Sequence, residues 1–217
     1  TDPPYGMNYG GGRAAGSTKK GALLQAHGMI LGDDKTGEDL ISLVRDALSL
    51  AVGVCKEGSA KYVCFPWRTY TEFEAALHEC GLEPSACIVW DKKSIGLGNA
   101  NYRPQHEFIF YIKGGSWYGD RAQSDVWYSS RGATGDYVHP TQKPVELIER
   151  AVTNSSKSGD VMLDLFGGSG STLIACEING RESRLMELDP KYCDVIVKRW
   201  QDFTGKQAIL ETTQEPF

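Results

Sequence analysis

The sequence lacks the features that define several classes of protein. No apolar run approaches the ~18 residues that a membrane helix needs, and the longest, such as 161–166, is strand-sized and contains an acid. Positive charge is not in excess either, because 23 Lys and Arg stand against 28 Asp and Glu, for a net charge of −5. A protein that coats nucleic acid by bulk charge is therefore excluded, whereas a local basic patch is not.

Metal-binding and disulfide patterns are also missing. None of the six cysteines belongs to a C-x-x-C pair, and none stands at zinc-ligand spacing from a histidine. Most have apolar neighbours, as Cys64 does between Val63 and Phe65, which indicates buried thiols in a reducing cytoplasm. We expect no metal site. The chain begins with Thr1 and has no signal peptide, so we expect it to be the retained part of a longer protein.

The hydrophobic content of 41% is enough for a sizeable core, and the length suits one α/β domain over 1–217. Apolar periodicity predicts a helix over 38–54, and capping signals predict a second helix from 71 to 80. β-Branched and aromatic runs predict strands at 61–67, 86–91 and 108–112.

Two stretches follow no such pattern. Residues 6–37 are rich in glycine and carry Arg13, Lys19 and Lys20, so we expect a mobile loop there. Residues 114–138 are rich in Gly, Ser, Tyr, Trp and Arg, which favours a recognition loop that includes Arg121 and Arg131. For the charges of the first loop, phosphate contacts and a solvated loop are about equally supported.

The last third, 139–217, is the most regular part of the sequence. A helix is predicted over 144–156, and strand, helix, strand and helix follow at 161–166, 171–179, 183–188 and 190–203. Right-handed crossovers make such a unit a parallel sheet with helices on its faces.

A glycine turn joins the first strand and helix of this unit. Asp164, Phe166, Gly168, Gly170 and Thr172 lie in the run D-L-F-G-G-S-G-S-T, where glycines let the backbone approach a ligand. Glu187 ends the next strand, where an acid accepts ribose hydroxyls. A dinucleotide fingerprint needs a third glycine, but residue 173 is Leu. An acid before the turn suits an ammonium better than a pyrophosphate, so the pattern indicates S-adenosylmethionine, against the alternative of an ordinary glycine turn.

A second motif opens the chain, at Asp2, Pro3, Pro4 and Tyr5. The prolines fix the backbone, so the Asp2 carboxylate and the Pro3 carbonyl can together accept both N–H groups of an amine. Tyr5 offers a ring on which a base can stack. Taken alone, this run is also common turn chemistry.

Together these motifs resemble those of the β group of DNA amino-methyltransferases, with the amine motif first and the cofactor motif last. The segment H-P-T-Q-K-P, which contains Thr141 and Lys143, resembles the one that contacts the methionine end of the cofactor in that group. The segments around Trp90 and Tyr102 resemble its intervening strands. The resemblance implies a Rossmann-like methyltransferase fold, with a mostly parallel twisted sheet and helices on both faces.

The resemblance also implies an activity: methyl transfer from S-adenosylmethionine to the exocyclic amine of a base flipped out of double-stranded DNA, as in restriction-modification. Asp at the first motif position is more often associated with adenine N6 in this family, whereas cytosine N4 remains the alternative, as does a non-catalytic binding subunit. The strand that normally leads into D-P-P-Y in this group is not in the sequence, so we expect a missing N-terminal segment. Double-stranded DNA is the expected partner, and a homodimer and a partner nuclease stay open.

Overall fold

The computed structural model describes residues 1–8, 30–95, 101–130 and 142–217. The first half of this part holds helix α1 (Glu38–Val54), strand β1 (Lys61–Phe65), a short 3-10 helix (Trp67–Thr69), helix α2 (Tyr70–Glu79) and strands β2 (Ala86–Asp91), β3 (His106–Ile112) and β4 (Val126–Tyr128). The second half holds α3 (Val145–Ser155), β5 (Val161–Asp164), α4 (Ser171–Ile178), β6 (Glu182–Leu185) and α5 (Pro190–Thr204). Within these residues no helix is long and apolar enough to cross a membrane.

Four strands form one sheet in the order β1-β3-β2-β4. Strand β3 is antiparallel to both neighbours, with Phe65 opposite Phe108 and Trp90 opposite Glu107, whereas β2 and β4 are parallel. Strands β1, β2 and β4 therefore run in one direction and β3 alone runs the other way. As a result, the start of β3 lies beside the carboxyl ends of β1 and β2.

Both faces of this sheet are covered by helices, because its strands are apolar on both sides. Side chains alternate across a strand. One face packs against α1 and α2 and includes Val63, Phe65 and Phe110. The other face includes Cys64, Ile88, Trp90, Ile109 and Trp127, and it packs against Leu147 of α3. The expected helices on both faces are thus confirmed.

Strands β5 and β6 form a second, parallel pair, with Asp164 opposite Leu185. Helix α4 connects them, as the crossover of a β-α-β unit requires, and α5 follows β6. The predicted β-α-β-α order is confirmed. The strands end earlier than predicted, however, at Asp164 and Leu185, so Glu187 lies just beyond β6.

Three other predictions need correction. The strand predicted over 61–67 ends at Phe65, because Pro66 has no N–H to donate to a ladder. Strand β3 begins two residues earlier than predicted, at His106. Strand β4 lies inside the predicted recognition loop 114–138, where its Trp127 is only 3% exposed and pairs with Trp90 of β2. The sequence does not predict this strand, because its three residues are too few to show the alternation of apolar and polar side chains.

Candidate active site

The D-P-P-Y segment starts beside strand β1 and reaches the end of β5. The Thr1 backbone N–H donates to the Tyr62 carbonyl at 2.7 Å, and the Cys64 N–H donates to the Thr1 carbonyl at 3.0 Å. The Thr1 hydroxyl donates to Asp164 Oδ1 at 2.7 Å. Thr1 therefore joins the amine motif to the glycine-turn motif, although 163 positions separate the two residues.

Tyr5 is held by both its backbone and its side chain. Its N–H donates to Asp33 Oδ1 at 2.8 Å, and its carbonyl accepts from the Thr69 hydroxyl at 3.3 Å. Its own hydroxyl donates to Glu107 Oε2 at 3.1 Å, and its ring meets the edge of Phe73 with centroids 6.4 Å apart. The aromatic ring is thus fixed in orientation.

Asp2 has one oxygen engaged and one vacant. Its Oδ2 accepts from Lys143 Nζ at 2.6 Å. Its Oδ1 is buried and has no hydrogen-bond partner within the described ranges. A buried acceptor without a donor is costly, so such an oxygen marks a place for a ligand N–H.

The surroundings of Asp2 carry alternating charge. Lys143 also lies 3.3 Å from Glu107 Oε2, and Lys92 Nζ lies 2.6 Å from Glu107 Oε1. Burial alone would lower the pKa of Lys143, but the carboxylates of Asp2 and Glu107 outweigh it and raise that pKa above its usual value. Burial, followed by the charges of Asp2 and Glu107, raises the pKa of Tyr5 well above its usual value. Tyr5 therefore stays a neutral hydroxyl that donates.

The glycine turn after β5 is closed by hydrogen bonds to Glu187. The Gly168 N–H donates to Glu187 Oε2 at 2.7 Å, and the Asp189 N–H donates to Oε1 at 2.9 Å. Gly170 caps α4 with φ of +78°, a left-handed conformation that favours glycine. Glu187 is therefore positioned against the turn.

Asp164 organises the same turn. Its Oδ2 accepts from the Thr172 hydroxyl at 2.6 Å, while its Oδ1 accepts from Thr1 and, at 3.3 Å, from the Phe166 N–H. The Ser171 hydroxyl donates to the Lys143 carbonyl at 2.8 Å. The three sequence motifs are therefore joined by direct hydrogen bonds.

One cavity of about 2320 Å³ borders these motifs. It includes the carboxyl ends of β1, β2 and β5, where open α/β sheets bind their ligands, and it also extends along β1 and β5 themselves. Of the predicted residues, those that line it are Asp2, Pro3, Pro4, Tyr5, Lys143, Asp164, Phe166, Gly168, Thr172 and Glu187. Gly170 is not among them: a Cβ there would lie 3.2 Å from Ile196, so this glycine permits close packing of α4 on α5.

Lys143 lies beside the amine motif in the structure. The resemblance implies a place for it at the methionine end of the cofactor, whereas in the structure its ammonium lies on Asp2 and 5.1 Å from the centroid of the Tyr5 ring. Arg121 is exposed and does not line the cavity. The predicted residues Arg13, Lys19, Lys20, Arg131 and Thr141 lie outside the described residues.

Sequence reasoning missed several residues of the cavity. Trp67 and Arg68 follow β1, Lys92 follows β2, and Tyr102, Arg103 and Glu107 lie before or at the start of β3; all six line the cavity. The rule that ligands bind at carboxyl ends of strands would have found those after β1 and β2. Glu107 and its neighbours depend on the reversed direction of β3, which the sequence does not reveal.

The fold is that of known DNA methyltransferases. The chain superposes on the M1.HpyAVI–SAM complex with a TM-score of 0.62 and 22% identity, covering 71% of this chain and 80% of that one. It superposes on PvuII DNA methyltransferase, titled cytosine-N4-specific, with a TM-score of 0.63 and 18% identity, covering 76% of this chain and 73% of that one. These likenesses confirm the predicted fold class.

The family follows from the sequence match. The DNA methylase family model that covers the N6 and N4 enzymes matches residues 1–198, so the chain belongs to that family. Type II methyltransferase M.Cfr9I of Citrobacter freundii is 32% identical over 153 residues, 63% of this chain and 49% of that protein. Type II methyltransferase M2.MboI of Moraxella bovis is 32% identical over 89 residues, 40% of this chain and 33% of that protein. The chain thus spans half or less of the length of these relatives.

Proposed function

We propose that this chain transfers a methyl group from S-adenosylmethionine to the exocyclic amine of a base in double-stranded DNA, and that the base is adenine. The observation that carries the proposal is the vacant oxygen of Asp2. It is a buried acceptor in the same cavity as the glycine turn, and Thr1 ties the two together.

The donor set of the turn fits the cofactor. Each Glu187 oxygen accepts one backbone N–H and keeps a lone pair for a ribose hydroxyl. The Asp164 carboxylate supplies the negative charge that an amino acid's ammonium requires. When bound, S-adenosylmethionine supplies a methyl group activated by its sulfonium.

The chain's own residues then act on the target amine. Asp2 Oδ1 and the Pro3 carbonyl accept hydrogen bonds from its two N–H groups. These hydrogen bonds localise the nitrogen lone pair, which is otherwise delocalised into the ring, and direct it toward the methyl group. Methyl transfer leaves the nitrogen as a cationic ammonium, which is acidic and loses a proton to water, so no strong base is required. Most of the rate comes from positioning, which the clamped Asp2–Tyr5 backbone provides.

The target base has to leave the duplex to reach this oxygen, at a cost of a few kcal/mol. Stacking on the Tyr5 ring offsets roughly 1–3 kcal/mol of that cost. Beside the same cavity, Trp67 is 61% exposed and the Arg68 guanidinium lies 5.3 Å from its ring centroid. An exposed aromatic ring next to a cation suits contact with bases and phosphates.

Cytosine N4 is the second candidate for the target amine. The likeness to PvuII methyltransferase supports cytosine N4, whereas Asp at the first motif position supports adenine N6. A non-catalytic binding subunit is the other alternative, and the transfer assay below distinguishes it.

A single assay separates these functions. The protein is incubated with tritiated S-adenosylmethionine and duplex DNA, RNA or protein, and the DNA is digested to nucleosides for chromatography. We expect label in N6-methyladenine; label in N4-methylcytosine would reverse the choice of base. Asp2→Ala should abolish transfer and leave cofactor affinity by calorimetry nearly unchanged. Cofactor binding without transfer by the unaltered chain would favour the non-catalytic subunit.

A further inference from the structure

Four side chains of alternating charge form a line through the site, in the order Asp2, Lys143, Glu107 and Lys92. The N–O distances along it are 2.6, 3.3 and 2.6 Å. The side chains of Lys143, Glu107 and Lys92 are 4%, 12% and 11% exposed, so these charges interact with little screening by water. Glu107 stands between the two cations.

Glu107 is placed on a rigid element. It lies second in β3, opposite Trp90 of β2 in the antiparallel ladder. Its Oε1 faces Lys92, while its Oε2 faces both Lys143 and the Tyr5 hydroxyl. Glu107 therefore reaches both ends of the D-P-P-Y segment: Tyr5 directly and Asp2 through Lys143.

The pull of Glu107 on Lys143 decides which oxygen of Asp2 is vacant. An ammonium has three N–H donors and can cover both oxygens of a carboxylate. With one side of Lys143 drawn to Glu107, its ammonium meets only Oδ2 of Asp2, and Oδ1 keeps no partner within the described part of the chain. Without that pull, Lys143 would be free to compete with the substrate amine for Oδ1.

We propose that Glu107 is a positioning residue for methyl transfer: it holds Lys143 at one oxygen of Asp2, keeps the other oxygen for the target amine, and anchors the Tyr5 hydroxyl. This inference rests on the proposed function. Glu107 does not touch the reacting atoms, so its effect is transmitted through Lys143 and Tyr5.

The test compares Glu107→Gln with the unaltered chain in single-turnover methyl transfer. Glutamine keeps the size and one acceptor but loses the charge. We expect the transfer rate to fall about a hundredfold, as for a displaced catalytic group, with cofactor affinity unchanged by calorimetry. Glu177→Gln is the matched control, because Glu177 pairs with Lys206 at 2.7 Å outside the cavity, and it should keep the full rate.

A double-variant cycle tests whether Glu107 acts through Lys143. Lys143→Met removes the competing ammonium, so Glu107→Gln should slow the Lys143→Met chain much less than it slows the unaltered chain. Effects that multiply independently would overturn the proposal, as would a Glu107→Gln variant of full rate. If Glu107→Gln does not fold, Tyr5→Phe serves in its place, because it removes only the hydroxyl contact to Glu107 and should slow transfer. Full activity of Tyr5→Phe would also count against the proposal.

The pH profile separates positioning from a general loss of structure. The pKa of Lys143 is raised in the folded protein, so the unaltered chain should show no alkaline limb from this group in the pH range where the DNA stays double-stranded. The loss of one carboxylate lowers this pKa, so an alkaline limb should appear in Glu107→Gln. The titratable groups that face Lys143 are Asp2 and Tyr5 from the first segment, Cys64 from β1 and Glu107 from β3. Lys92, after β2, faces the other oxygen of Glu107. A variant that is slower by one factor at every pH would contradict the inference. No transfer to DNA by the unaltered chain would instead refute the proposed function itself.

Discussion

Replacing Lys143 by methionine should destabilise the protein strongly. The ammonium is 4% exposed and pairs with Asp2 at 2.6 Å. Breaking a buried pair costs about 3–5 kcal/mol, because the remaining charge has no partner. Asp2 is 24% exposed and Glu107 keeps Lys92, which places the expected loss near the lower end, roughly 3 kcal/mol. Methionine fills most of the lysine stem's volume, so a cavity adds little.

Urea denaturation measures this loss as a lower midpoint at an unchanged slope. Since the pKa of Lys143 is raised in the folded protein, the pair's contribution is fully present at neutral pH and is lost only in strongly alkaline solution. Lys198→Met removes an exposed pair with Asp202 and should leave the midpoint nearly unchanged.

A double variant isolates the effect of the unpaired charge. Asp2→Asn combined with Lys143→Met removes the unpaired charge and should recover most of the lost stability. If the double variant is no more stable than Lys143→Met alone, the uncompensated carboxylate is not the cause of the loss.

Four further outcomes are expected. Gly170→Ala should lower the unfolding midpoint more than Gly205→Ala, since both have left-handed φ but only the first meets Ile196; equal losses would contradict this. Glu187→Gln should weaken cofactor binding about tenfold by calorimetry, because a charged acceptor is lost; unchanged affinity would argue against the ribose contact. Arg68→Ala should lower the salt slope of DNA binding by about one in anisotropy titrations, if it contacts a phosphate. Burial raises the pKa of the Cys64 thiol to about 12, so alkylation at pH 8 followed by mass spectrometry should label exposed Cys87 and spare Cys64.

Much of the fold could be predicted because the signals are local. The apolar stripe of α1 gives its bounds, Glu38–Val54, without error, and the run that forms β2 does the same. The errors occur where contacts with residues distant in sequence determine the local structure. Strand β4 depends on the pairing of Trp127 with Trp90, and its three residues carry no pattern of their own.

The residues of the candidate site also divide into those that local motifs predict and those that depend on distant contacts. The acceptor at Asp2 and the turn at Gly168 could be predicted because each is a short motif whose chemistry is complete in itself. Glu107, Lys92 and Asp33 could not, because each acts on a residue that is distant in sequence. The contact between Lys143 and Asp2 spans 141 positions and follows from packing that no local pattern encodes.

The hydrogen bonds of Thr1 have a consequence for how the two ligands affect each other. Its hydroxyl rests on Asp164, at the cofactor turn, while its backbone leads directly into Asp2. Under the proposed function, a cofactor that shifts the Asp164 carboxylate would also shift Thr1, and with it the adjoining amine acceptor. Thermodynamic linkage requires the effect to be mutual: the factor by which cofactor changes the affinity for DNA equals the factor by which DNA changes the affinity for cofactor. The Thr1 hydroxyl is thus placed to couple the binding of cofactor to the binding of DNA.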